Sequence, residues 1–167
     1  MKTVFISGVS RGIGKGLATR YLKDGHRVLG SVRRPENPAA HDLAEHYGDR
    51  FVPFVMDVRD PSTVADAARV AAAVVDAIDL LICCAGVNME FPGGLHQGES
   101  QYGLKPLADI DDVTMMKTFE VNVVGVLRTV RAFHHLLVAG SEPKLVIISS
   151  VGGSIAAAET WLAVPSG

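Results

Sequence analysis

Ser7-Gly8-Val9-Ser10-Arg11-Gly12-Ile13-Gly14 closes an apolar run, Thr3 to Ser7, and opens a segment with helical spacing. In such a strand-to-helix turn Gly8 can make the tight bend, and Gly12 can let the backbone approach a pyrophosphate. Gly14 can let the helix pack closely on the strand. The helix after the turn offers free N–H groups and a partial positive charge to phosphate oxygens. The spacing is G-x-x-x-G-x-G, neither G-x-G-x-x-G nor a P-loop: Lys15 is followed by Gly16 rather than Ser or Thr, which disfavours a nucleoside triphosphatase. A glycine-rich turn with no ligand is the alternative. Its place in the first βα connection, where a dinucleotide would bind, favours the cofactor.

Beyond this turn, strand-length apolar runs recur at Arg27 to Val32, Phe51 to Met56, Leu80 to Cys84 and Leu145 to Ser149. Helical spacing fills the intervals. In the first helix Ile13, Leu17, Tyr21 and Leu22 share a face, and Asp24-Gly25 supplies a stop. The second runs from about Pro38 to Tyr47, ending at Gly48. The third opens with Asp60 as cap and Pro61 at the first helical position, and reaches about Ala77. The fourth spans about 111 to 139, with Met115, Phe119, Val123, Val126, Val130 and Phe133 at near-helical spacing and Gly140 beyond its end. Strands such as Leu80-Leu81-Ile82 and Val146-Ile147-Ile148 are apolar throughout rather than alternating, and so expect helices on both faces. The predicted fold is an α/β doubly wound parallel sheet, Rossmann-like, of about five strands. A Gly-rich polar stretch from Val87 to Lys105 reads as a long loop after the fourth strand.

The 167 residues, 48% of them apolar, suffice for one domain. They accommodate about five βα units of ~30 residues with little to spare. Sixteen basic against 18 acidic side chains give a net charge of −2, which offers no footprint for nucleic acid or an anionic membrane. No run of about 20 uncharged apolar residues exists to span a bilayer, and the N-terminus lacks a signal-peptide core. The two cysteines, Cys83 and Cys84, are adjacent and cannot build a disulfide framework or a zinc site. They read as small core residues on opposite faces of a strand. His41, His46, His134 and His135 lack metal-ligand spacing, so no metal is expected. A cytoplasmic location is expected.

The glycine turn resembles the T-G-x-x-x-G-I-G turn of the short-chain dehydrogenase/reductase family. Four more segments match in order: Met56-Asp57-Val58 after the third strand, Cys83-Cys84-Ala85-Gly86 after the fourth, Val121-Asn122-Val123-Val124-Gly125 in the long helix, and Ile148-Ser149-Ser150 at the fifth strand. The departure is Cys83-Cys84, where the family usually has Asn-Asn or a similar pair. The resemblance implies a nicotinamide dinucleotide held by Gly8, Ser10, Arg11, Gly12, Ile13 and Gly14, with Asp57 and Val58 flanking the adenine and Ala85 and Gly86 beneath the ribose. Asp57 as a simple strand-end turn residue is the alternative.

Cofactor choice turns on the end of the second strand, where an acidic residue would bind the ribose 2′-hydroxyl of NAD. The chain has Ser31-Val32-Arg33-Arg34 there. Arginine suits a 2′-phosphate through its planar fork, and family resemblance associates a basic residue at Arg11 with NADP. NADP(H) is therefore preferred over NAD(H), the alternative being that Arg11 and Arg33 are solvated surface residues.

The resemblance further implies hydride transfer between nicotinamide and a small carbonyl or alcohol substrate. Ser150 would hydrogen-bond the substrate oxygen and Asn122 would support a proton-relay water. Ser150 as a cap for the segment after it is the alternative reading. An asparagine among Val121, Val123 and Val124 is poor for a helix, which favours a functional or helix-distorting role. The Y-x-x-x-K pair that supplies the general acid/base is absent: residues 151–167 contain neither Tyr nor Lys, and Tyr102 and Lys105 have the wrong spacing and order. The expectation is thus residues 1–153 as the dinucleotide-binding domain of a truncated reductase, with 154–167 a tail or the start of a missing segment. The chain alone is expected to be inactive. A homo-oligomer through the long helix 111–139 is expected; a catalytically inactive dinucleotide-binding or interaction module is the second reading.

Overall fold

The computed structural model describes residues 1–87 and 111–150. Five strands, β1 (Thr3–Ser7), β2 (Arg27–Val32), β3 (Phe51–Val55), β4 (Leu80–Cys83) and β5 (Lys144–Ile147), form one parallel sheet in the order β3-β2-β1-β4-β5. Val4 of β1 pairs with Val28 on one side and Leu80 on the other, so the chain winds outward in both directions from β1. That order puts the topological switch between β1 and β4, and the ends of these strands open there.

The apolar strands β1 and β4 are covered on both faces, as their composition requires, but β5, also expected to be covered, is not: as the sheet's edge strand it leaves Leu145, Val146, Ile147 and the following Ile148 exposed among the described residues. In β1, Val4 and Ile6 pack toward α1 (Gly12–Lys23) and α2 (Pro38–Tyr47), within a core that includes Ala18, Leu22, Leu43 and Phe51. Phe5 points to the opposite face. There it joins Phe54, Ala67, Ala71 and Leu81 under α3 (Pro61–Ala72) and the helix that bears Phe133, whose ring lies 4.1 Å from that of Phe5. Asp60 caps α3 by accepting from the Ser62 N–H at 2.8 Å, and Asn37 caps α2 through the Ala40 N–H at 3.2 Å.

Several expectations are corrected in detail. Helix α3 ends at Ala72, not near Ala77: the chain turns through Val74 and Val75, and the Ile78 N–H donates to the Leu136 carbonyl to start the approach to β4. Ile13 does not share the buried face of α1; it is 63% exposed, and Gly14, Ala18 and Leu22 make that face. The helix expected from 111 to 139 is two helices, α4 (Asp112–Phe119) and α5 (Gly125–Val138), joined by a π-turn over Glu120–Val124. One extra residue in a turn rotates the rest of the helix by about 100°, so a single stripe cannot face the core throughout. Accordingly Met115 and Phe119 are exposed, whereas Gly125, Thr129, Phe133 and Leu137 are buried. The long loop expected at 87–105, apart from Val87, lies outside the described residues, as does the tail 154–167.

Candidate functional site

The carboxyl ends of β1, β2 and β4 are stitched by two serines. Ser31 of β2 accepts at its carbonyl from the N–H groups of Gly8 (3.1 Å) and Val9 (2.9 Å), and its Oγ lies 3.1 Å from the Gly8 nitrogen. Ser7 Oγ accepts from the N–H groups of Cys84 and Ala85, both at 3.0 Å. These bonds bring the glycine turn against the loop after β4. They satisfy amides that would otherwise be orphaned at the strand ends.

The turn has the conformation its glycines permit. Gly8 (φ +81°) and Gly12 (φ +56°) occupy the left-handed region, which other residues enter at a cost. A side chain on Gly14 would collide with the Gly8 carbonyl, so only glycine lets α1 sit this close to the turn. A Cβ on Gly12, by contrast, would meet nothing within 4 Å, which leaves the backbone there open to a ligand. Arg11 stands at the N-cap of α1 with extended backbone and no side-chain cap, so the first-turn amides face the same opening.

That opening is a cleft of about 270 Å³. Gly8, Ser10, Arg11, Gly12, Ile13, Arg33, Asp57, Val58, Ala85 and Gly86 all line it. Gly14 lies beneath it as a packing residue. Asn122 lies just behind, 3.4 Å from where a Cβ on Gly86 would be, with its amide bonded to Val87, which does line the cleft. Ser150 stands two residues beyond Ile148, another lining residue, past the end of β5.

After β3 the chain makes a tight turn whose amides are nearly all used. The Met56 N–H donates to Val32, that of Asp57 to Thr63 Oγ1, that of Arg59 to Asp57 Oδ1 and that of Asp60 to the Asp57 carbonyl. The Val58 N–H has no partner among the described residues, although the residue itself is buried at the cleft wall. Beside it Asp57 is held by the Arg59 guanidinium, with Nη2 2.6 Å from Oδ2 and Nε 3.0 Å from Oδ1. This pairing, more than the nearby charge of Arg33, holds the Asp57 carboxyl below its ordinary range against the opposing effect of burial.

The cleft fits a dinucleotide on these observations: an uncapped helix N-terminus and an open glycine for a pyrophosphate, an amide with no partner among the described residues next to a carboxylate for a purine edge, and cationic Arg11 and Arg33 at the rim. Arg59, Ser31, Cys84 and Ile148 also line it and were not among the cofactor contacts expected from sequence. Arg59 follows Asp57 by two residues, a spacing at which an Asp side chain folds back on the chain, and that was the one available signal. Both cysteines pack with the core, Cys83 fully and Cys84 in part; burial pushes the Cys83 thiol up to about 11. Cys84 is half-buried and belongs to the cleft wall, with its thiol also raised by burial.

Residues 2–161 match the profile of the short chain dehydrogenase family. The chain belongs to that family. It is 32% identical over 160 residues to a short-chain dehydrogenase of Neurospora crassa, a match covering 91% of this chain and 57% of the relative. Among solved structures a carbonyl reductase of Pseudomonas aeruginosa is 30% identical with a TM-score of 0.73, over 95% of this chain and 63% of that one. A short-chain dehydrogenase/reductase of Burkholderia multivorans with bound NADP is 26% identical, TM-score 0.76, over 93% of this chain and 61% of its own. The chain thus spans somewhat more than half the length of the curated relatives it matches. Its five-stranded parallel sheet is the Rossmann-like core seen in these relatives. No helix among the described residues is long and apolar enough to cross a membrane.

Proposed function

We propose that this chain is the dinucleotide-binding portion of an NADP(H)-dependent reductase that exchanges hydride with a small carbonyl or alcohol substrate. The observation that carries the cofactor assignment is the pairing of Arg11 and Arg33 on the rim of one cleft, with no carboxylate at the end of β2. Two guanidinium groups there complement a 2′-phosphate, where a carboxylate would repel it. When bound, the nicotinamide supplies or accepts the hydride. The chain's own residues hold the rest: Gly8, Ser10, Gly12, Ile13 and the α1 amides the pyrophosphate, Asp57 and Val58 the adenine, Ala85 and Gly86 the ribose. Gly14 keeps the turn in place for this.

In this reading Ser150 donates its hydroxyl to the substrate oxygen, and Asn122 shapes the relay region from the π-turn. Residues 1–153 act as the binding unit. The α4–α5 pair presents Met115, Met116, Phe119, Val123 and Leu127 to solvent, which supports a homo-oligomer formed through this face. Two adjacent free thiols suit a reducing cytoplasm. Titration calorimetry of the chain with NADP⁺ and with NAD⁺ tests the assignment. Tighter binding of NADP⁺ is expected, and equal or tighter binding of NAD⁺ would sink it.

A further inference from the structure

The turn that bears Asp57 and Val58 is gripped from behind by a residue 70 positions away in sequence. Arg128 of α5 donates from Nη1 to the Arg59 carbonyl at 2.7 Å and to the Val58 carbonyl at 3.2 Å. The same nitrogen lies 3.3 Å from Glu120 Oε1, at the start of the π-turn. Packing reinforces the grip, because a side chain on Gly125 would overlap Val58 Cγ2 at 2.7 Å; the helix and the turn are in direct contact. The Val58 N–H, without a partner among the described residues, belongs to the peptide unit just before these two, and the carbonyl of its own unit, that of Asp57, accepts from the Asp60 N–H. Held at the two following carbonyls by Arg128 and at this one by Asp60, the turn has little freedom to swing that N–H away from the cleft.

We propose that Arg128 is a positioning residue for purine recognition: anchored by Glu120, it orients the Val58–Arg59 peptides so that the Val58 N–H and the Asp57 carboxylate together face the edge of an adenine. The proposal rests on the dinucleotide reading of the cleft. Neither the sequence spacing nor the lining of the cleft points to Arg128, whose side chain approaches the turn from the opposite side.

The test is calorimetry on the chain with two ligands, NADP⁺ and its 1,N6-etheno derivative, in which the bridge blocks the purine edge that Val58 and Asp57 would meet. The wild type is expected to bind NADP⁺ the more tightly. Arg128→Ala should weaken NADP⁺ about tenfold, some 1.4 kcal/mol, and leave the etheno ligand unchanged, so that the discrimination disappears. Arg128→Lys, which keeps a donor for one carbonyl, should restore part of it, and it serves as the variant if the alanine chain fails to fold. Equal weakening of both ligands, or no change in either, would show that Arg128 is only a scaffold residue and overturn the proposal. A wild type that binds NADP⁺ but does not discriminate the two ligands also overturns it, leaving the dinucleotide reading intact. A wild type that binds neither NADP⁺ nor NAD⁺ overturns both.

Discussion

The side-chain amide of Asn122 closes a two-bond ring on the backbone of Val87: Nδ2 donates to the Val87 carbonyl at 2.8 Å, and Oδ1 accepts from the Val87 N–H at 2.9 Å. A residue from the π-turn thereby acts as the missing strand partner for the loop that leaves β4. Replacing Asn122 with Ala should destabilise the chain by about 1–2 kcal/mol, the net worth of two hydrogen bonds at a partly solvated site. Chemical denaturation of the two chains checks this, and an unchanged midpoint would contradict it.

Gly14 and Gly16 lie on the same helix with opposite surroundings. A methyl on Gly14 strikes the Gly8 carbonyl, whereas one on Gly16 meets nothing within 4 Å. Gly14→Ala is expected to unfold or badly distort the first βα unit. Gly16→Ala, at an exposed helical position, should stabilise by about 0.5–1 kcal/mol through the lower entropy of its unfolded chain. Thermal melts of the pair distinguish steric from entropic control.

Arg33→Ala should weaken NADP⁺ by about 10–100-fold, as expected for loss of a charged hydrogen bond worth about 1.5–3 kcal/mol, with NAD⁺ nearly unaffected. Binding of NADP⁺ should also fall more steeply with added salt than binding of NAD⁺. A variant that loses both cofactors equally would indicate that Arg33 holds the fold of the β2 end and not the 2′-phosphate.

The Asp57–Arg59 pair makes stability depend on pH in one direction. Asp57 has a folded pKa below its ordinary value of 3.8, so its contribution is complete above that value. It is lost as pH falls through the depressed folded value. Asp57→Asn should therefore be less stable than wild type at neutral pH, with the difference shrinking once the pH drops below 3.8. Urea midpoints at neutral pH and well below that value measure it; a gap that persists in acid would rule out the ion pair as its source.

Cys83 and Cys84 should differ in reactivity although adjacent. With its thiol raised to about 11 and buried, Cys83 is expected to resist iodoacetamide in mildly alkaline buffer. Cys84, in the cleft wall, should be alkylated slowly and be protected by NADP⁺. Peptide mapping after alkylation with and without cofactor reads both residues.

Local signals carried a large part of this architecture. The glycine turn, the apolar strands and the Asp-Pro start of α3 are each legible in the chain, because turn geometry, two-sided burial and capping act over a few residues. Ten of the eleven cofactor-contact residues expected from sequence line one cleft, Gly14 lying beneath it, because strand order is set by parallel winding, a rule that also acts locally from one unit to the next. Features that depend on phase or on distant partners did not show. The stripe at Met115, Phe119 and Val123 reads as a core face, yet the π-turn moves it outward; Asn122, read as functional or helix-distorting, lies in that turn, but no periodicity within the segment shows that a residue is gained there.

The family, the doubly wound sheet and the position of the cleft are written in the chain, since each rests on patterns a few residues long repeated in order. Three relationships emerge only when the elements pack: Arg59 neutralises Asp57 in the cleft, Asn122 brackets Val87, and Arg128 grips the Val58–Arg59 turn from a distant helix. Each joins groups of opposite charge or unmet hydrogen-bonding capacity, and the chain offers many such groups. Packing selects which of them come within hydrogen-bonding distance.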